Sequence, residues 1–93
     1  MKALSEEELQ AVVAELPHWH IADGKLIRDF TFPNFIDALA FVNRVGTLAE
    51  SQNHHPDIDI RYNKVRLGLI THDANGITRR DAKLAALLDT ELA

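Results

Sequence analysis

Apolar side chains near the start of the chain fall at Leu9, Val12, Val13 and Leu16, three or four residues apart, the spacing of one face of a helix. Ser5-Glu6-Glu7-Glu8 just before them has the Ser-x-x-Glu form of a capping box. It also puts acidic groups in the first turn, where the helix dipole favours them, and Pro17 stops the run. A first helix over about residues 5 to 15 is predicted. The pattern then changes: His18-Trp19-His20-Ile21 and Lys25 to Phe32 flank Asp23-Gly24, a pair suited to the positive φ angles of a two-residue hairpin turn. On the second of these strands Phe30 and Phe32 point to one face and Asp29 and Thr31 to the other, while Arg28 breaks the alternation.

Pro33-Asn34 opens the longest helical pattern, with Phe35, Ala38, Leu39, Val42, Val45 and Ala49 along one stripe and Phe41 and Leu48 off it. This helix is expected from about 34 to 51, ending ahead of His54-His55-Pro56 because a residue before proline is pushed out of helical geometry. If subunits associate through it, Phe41 and Leu48 are the expected contacts. Ile58, Ile60 and Tyr62 alternate with Asp59 and Arg61, Asn63-Lys64 can turn the chain, and Val65, Leu67, Leu69 and Thr71 alternate with Arg66, Gly68, Ile70 and His72. That is a second hairpin. After a turn at Asn75-Gly76, Thr78-x-x-Asp81 begins a last helix with Leu84, Ala85, Leu88 and Leu92 on one face.

The order helix, hairpin, helix, hairpin, helix predicts an α+β two-layer sandwich, a four-stranded antiparallel sheet with helices on one face, formed by a single domain over 1–93. Open edges on so small a sheet invite pairing with another subunit, so a homodimer or homotetramer is expected.

Composition narrows the function. A net charge of -4 leaves no basic excess to neutralise phosphates, so neither nucleic acid nor an anionic membrane surface is an expected partner. The absence of cysteine excludes disulfides, thiolate metal sites and thiol nucleophiles. No apolar run approaches a membrane span and the N-terminus turns acidic where a signal peptide turns apolar, so the expected location is cytoplasmic.

Candidate chemistry concentrates in one stretch. Glu50-Ser-Gln-Asn53-His54-His55-Pro56, Tyr62 and Thr71-His72-Asp73 hold three of the five histidines, and imidazole is the side chain that both gives and takes protons near neutrality. The second hairpin returns the end of its last strand beside the start of its first, which brings His72 towards His54 and His55. The bend at Pro56 can let those two line one pocket from different sides.

The spacing Glu50-x-x-x-His54-His55-Pro56, then Tyr62, His72 and Asp81, resembles the pterin-4a-carbinolamine dehydratase family. The likeness extends through Trp19, Arg28-x-Phe30-x-Phe32, Phe35-x-x-Ala38-x-x-Phe41, Tyr62-Asn63-Lys64-Val65 and Gly76-x-Thr78, over roughly residues 16 to 90. The resemblance implies a hydro-lyase that dehydrates a 4a-hydroxytetrahydropterin to the quinonoid dihydropterin, without metal or redox cofactor, in tetrahydrobiopterin recycling linked to an aromatic amino acid hydroxylase. Carried over by position, His54, His55 and His72 are the catalytic imidazoles and Glu50, Arg80 and Asp81 support them. By the same carry-over Asn53, His54, His55, Ile70, Thr71, His72 and Asp73 would contact substrate, with Trp19 either part of the wall or, the commoner place for a tryptophan, in the core. The chemistry suits these residues: one group must protonate the departing hydroxyl and another must take a ring-nitrogen proton.

Other readings stand beside this one. His18 and His20 share a strand face but offer only two metal ligands, so solvated strand residues are expected there; a zinc site on His54, His55 and His72 is the weaker alternative to metal-free chemistry. Asp81 doubles as the carboxylate of a capping box with Thr78. Glu50 sits near a helix C-terminus, where the dipole repels anions, which favours a role in orienting an imidazole. At the level of function, the alternatives are a non-enzymatic dimerisation or transcriptional coactivator partner, or a dehydratase acting on another pterin such as a molybdopterin-related one.

Overall fold

In the computed structural model, which describes residues 1–92, Ser5 Oγ accepts the Glu8 N–H at 3.2 Å and the Glu8 carboxylate accepts the Ser5 N–H at 2.9 Å. This reciprocal cap starts α1 (Glu6–Glu15). β1 (His20–Ala22) and β2 (Lys25–Thr31) follow, then α2 (Phe35–Ser51), β3 (Asp57–Arg61), β4 (Lys64–Leu69), a one-turn 3-10 helix (His72–Ala74) and α3 (Arg79–Leu92). The last residue of the expected domain, Ala93, lies outside the described residues.

The four strands form one antiparallel sheet in the order β1-β2-β4-β3. Asp23 and Gly24 turn the first hairpin at φ 53° and 74°, as the Asp-Gly pair predicted. In the second hairpin Arg61 pairs with Lys64, so the turn residues are Tyr62 and Asn63, one step earlier than expected. The reason is Asn63: its side-chain amide donates to the Phe32 carbonyl at 2.8 Å and its own carbonyl accepts the Phe32 N–H at 2.9 Å. That anchor beside the end of β2 leaves Tyr62 at φ 51° and 67% exposed rather than in the strand.

One sheet face is apolar. Leu26 on β2 and Val65, Leu67 and Leu69 on β4 pack against Val12 of α1, Ala38, Phe41, Val45 and Ala49 of α2, and Leu84, Ala85 and Leu88 of α3. The buried stripe of α2 is therefore rotated from the expected one: Phe41 enters the core, Leu48 is half-buried, and Phe35 and Leu39 face outward. Phe41 is drawn in by β2, whose Phe30 and Phe32 rings lie 4.6 and 4.9 Å from it, within the range of favourable aromatic pairing.

Arg28 explains its break in the strand pattern. Its guanidinium lies 4.5 Å from the Phe30 ring centroid and donates to Asp89 of α3 at 2.5 Å, so a charged residue on the helix-facing side is paired rather than orphaned. The opposite sheet face is charged, with Arg66 gripping both oxygens of Asp29 at 2.7 and 3.0 Å and Lys25 on Asp57 at 2.7 Å. The Arg66 hydrogen bonds hold the Asp29 carboxyl below its ordinary range. Both partners are about half exposed, so the contribution to stability is small.

Strand order positions the chemistry. β3 starts where β4 ends, with Asp57 opposite Gly68. The residues before Asp57, which include His54 and His55, therefore neighbour the residues that follow β4, which include Thr71 and His72.

Candidate active site

The loop carrying two histidines is shaped by the end of α2. Asn53 has φ 51°, its N–H donates to the Glu50 carbonyl at 3.1 Å, and the His54 N–H donates to the Ala49 carbonyl at 3.2 Å. These paired bonds are a Schellman cap, and asparagine tolerates the left-handed conformation that it requires. The helix thus ends at Ser51 through the reversal at Asn53 rather than through Pro56, to which the sequence pattern attributed the break. Asn53→Val should cost about 1 to 2 kcal/mol through left-handed strain on a β-branched residue, whereas Asn53→Gly should stay within about 0.5 kcal/mol of the parent. Urea titration of both variants checks this; equal stabilities would contradict the cap.

The reversal turns His54 inward, to 8% exposure, and leaves His55 outside. His54 Nε2 meets Oδ1 of Asp81 at 2.5 Å. Asp81 is fully buried, and its other oxygen accepts the Thr71 hydroxyl at 2.9 Å and the Thr78 N–H at 2.8 Å. Asp81 therefore has two sets of partners. One carboxylate oxygen completes the N-terminal cap of α3, and the other holds an imidazole. Three separated pieces of chain, the loop after α2, the segment after β4 and the start of α3, meet on this single group.

His55 Nε2 lies 2.7 Å from a Glu50 carboxylate oxygen, with both side chains mostly exposed. Glu50 therefore pairs with an imidazole despite its unfavourable place at a helix C-terminus. His72 is exposed in the 3-10 turn; β4 ends at Leu69, so it does not continue that strand as expected. The loop bearing it is closed by the Thr71 N–H on the Gly76 carbonyl at 3.0 Å and the Gly76 N–H on the Thr71 carbonyl at 3.4 Å. Such a loop needs a reversal, which Asn75 supplies at φ 53°. Arg80 Nη2 donates to the Asn53 carbonyl at 2.8 Å, tying the first turn of α3 to the histidine loop.

The remaining expected site residues divide. Ile70 is half-buried and Asp73 exposed, both in the segment that carries His72. Trp19 is in the core, 3% exposed, with its indole N–H on both oxygens of Asp89 at 2.9 and 3.0 Å. That places it in the Arg28–Asp89 network, two turns along α3 from Asp81, rather than against the histidines. The sequence pattern marked Thr78 as a helix start and as part of the family likeness, not as a site residue. Its hydroxyl lies 2.7 Å from that of Thr71, a contact which no spacing rule announces. Among the described residues no three His, Asp or Glu side chains are grouped as a metal site.

The family profile described as pterin 4 alpha carbinolamine dehydratase matches residues 2–91. The chain belongs to the pterin-4-alpha-carbinolamine dehydratase family. Among curated relatives, a protein of Chloroflexus aurantiacus, provisionally named as such a dehydratase, is 51% identical over 89 residues, covering 96% of each chain. One from Picosynechococcus, with the same provisional name, is 48% identical over 86 residues, covering 92% of this chain and 94% of its own. A crystal structure described as a transcriptional coactivator/pterin dehydratase from Brucella melitensis has a TM-score of 0.87 at 33% identity, covering 96% of this chain and 97% of its own. This family likeness agrees with the α+β architecture of three helices on a four-stranded antiparallel sheet.

Proposed function

We propose that this chain dehydrates a 4a-hydroxytetrahydropterin to the quinonoid dihydropterin by acid and base catalysis on His54, His55 and His72. The observation that carries the reading is the His54–Asp81 pair. An imidazole whose Nε2–H is held by a buried carboxylate presents Nδ1 as a proton acceptor. His54 Nδ1 has no partner among the described residues, and no buried side-chain nitrogen there is left unpaired, so this atom opens to solvent. A site that both fixes an imidazole and leaves its second nitrogen accessible suits proton transfer.

The reaction balances without a cofactor. A protonated imidazole gives its proton to the 4a-hydroxyl, the C4a–O bond breaks and water leaves. A neutral imidazole takes the ring N–H proton as the C=N bond forms. One imidazole ends neutral and the other protonated, and proton exchange with water resets them. Each transfer is worth about 10²- to 10⁴-fold in rate. Glu50 orients His55, Arg80 braces the loop through Asn53, and the flat pterin lies against Asn53 to His55 and Ile70 to Asp73. The product would return to an aromatic amino acid hydroxylase as tetrahydrobiopterin after reduction, in the cytoplasm; among the described residues no helix is long and apolar enough to cross a membrane.

The outward Phe35, Ile36 and Leu39 on α2 support self-association as a homodimer or homotetramer. The Brucella protein, described as a coactivator as well as a dehydratase, supports a second reading, a coactivator-type partner protein. The two separate on one assay. Purified chain should accelerate the decay of 4a-hydroxytetrahydropterin, generated in situ by a hydroxylase and followed by ultraviolet absorbance. An unaccelerated decay would reject the enzyme and favour the partner protein. Comparing biopterin with a molybdopterin-related pterin in the same assay identifies the side chain accepted.

A further inference from the structure

Three polar groups form a chain that ends on Asp81, and its direction can be read without seeing a hydrogen atom. The Arg80 backbone N–H, which can only donate, points at Thr78 Oγ1 at 3.2 Å. Thr78 Oγ1 and Thr71 Oγ1 lie 2.7 Å apart, and Thr71 Oγ1 donates to Asp81 Oδ2 at 2.9 Å. Each hydroxyl has one proton. With the proton of Thr71 committed to Asp81, Thr78 must be the donor between the two threonines. The order is therefore Arg80 N–H to Thr78, Thr78 to Thr71, Thr71 to Asp81, and it ends on the carboxylate that holds His54 Nε2. Thr71 and Thr78 are both buried, so water does not compete for these bonds.

Thr71 occupies a second position of consequence. Its side chain acts on Asp81, and so on His54, while its backbone precedes His72 and closes the loop bearing it through both bonds to Gly76. One residue thus joins the supports of two imidazoles that come from different parts of the chain. Valine has nearly the same shape and would leave the backbone bonds intact, so the hydroxyl can be separated from the packing.

We infer that the Thr71 hydroxyl is a positioning residue: by donating to Asp81 it keeps the carboxylate turned to His54, which fixes that imidazole as the Nε2–H tautomer and sets it relative to His72. Its effect on catalysis rests on the dehydratase reading above; its effect on the His54 tautomer does not. In Thr71→Val, kcat should fall roughly 10- to 100-fold, the scale of a small misplacement of a reacting group, with KM changed less than about threefold. Thr71→Ser, which restores the hydroxyl, should recover kcat to within about threefold of the parent. Equal loss in both variants, or parental kcat in Thr71→Val, would overturn the inference.

Nitrogen-15 NMR of the histidine rings supplies the readout that needs no substrate. In the unaltered protein at neutral pH the neutral His54 ring should be protonated on Nε2, and Thr71→Val should mix the two tautomers. An Nδ1–H ring in the parent, or an unmixed spectrum in a folded Thr71→Val, overturns the positioning role. If the parent turns over no pterin while the NMR result holds, the dehydratase reading fails and the tautomer control stands.

Discussion

Replacing His72 by alanine should lower turnover of a 4a-hydroxytetrahydropterin at least 100-fold while leaving stability within about 1 kcal/mol of the parent. His55→Ala should behave in the same way. Both side chains are exposed, and neither lies in the apolar core, so truncation removes a proton carrier and little else. His55 does lose its bond to Glu50, but that pair is exposed and contributes under about 1 kcal/mol. Steady-state kinetics beside a thermal melt tests both halves of the statement. Near-parental turnover in both variants would eliminate histidine catalysis at this site, and a large loss of stability would show that these imidazoles serve the fold.

Asp81→Ala should have the opposite signature, with fold and activity failing together. The substitution leaves the Thr78 N–H, the Thr71 hydroxyl and His54 Nε2 without their acceptor inside a fully buried site. Such losses sum to about 3 to 5 kcal/mol. For a domain of this size that lowers Tm by more than about 12 °C, at roughly 4 to 8 °C per kcal/mol. Asp81→Asn separates the two roles. Its carbonyl oxygen can keep accepting from Thr71 and Thr78, so much of the stability should survive, but its amide then donates towards His54 and forces the wrong tautomer. Activity should still fall at least 100-fold, since a mis-set imidazole is costly even when its geometry is kept. A stable Asp81→Asn with parental turnover would reduce Asp81 to a helix cap.

Much of this was legible in the sequence because the local signals are strong and short-range. The Ser5–Glu8 box, the Asp23-Gly24 turn and the alternation of Val65, Leu67 and Leu69 each act over a few residues, and the structure has them as read. The misreadings share a different cause. α2 is apolar around much of its circumference, so two overlapping stripes fit its sequence. The choice between them is made by Phe30 and Phe32, which reach Phe41 from another element. The turn at Tyr62-Asn63 was displaced by a similar distant contact, the bonds of Asn63 to Phe32.

The site divides along the same line. His54, His55 and His72 stand out by residue type and spacing, and strand pairing in a hairpin is enough to predict that their segments are neighbours. What could not be read is that His54 is buried on Asp81 while His55 stands exposed on Glu50, because that asymmetry comes from the Schellman reversal at Asn53. The partner of Trp19 was equally hidden, since Asp89 is seventy positions away. The Thr71–Thr78 contact joins residues seven apart across a closed loop and leaves no periodic trace.

In the proposed complex a flat heterocycle sits among imidazoles from the loop after α2 and the 3-10 turn after β4. A crystal structure of the protein with an unreactive oxidised dihydropterin tests it most directly. The ring should be in contact with His54, His55 and His72 and lie against Asn53 and Thr71. A pterin bound instead on the charged sheet face around Asp29, Arg61 and Arg66, or in the groove between α2 and α3 near Arg44 and Leu48, would contradict it.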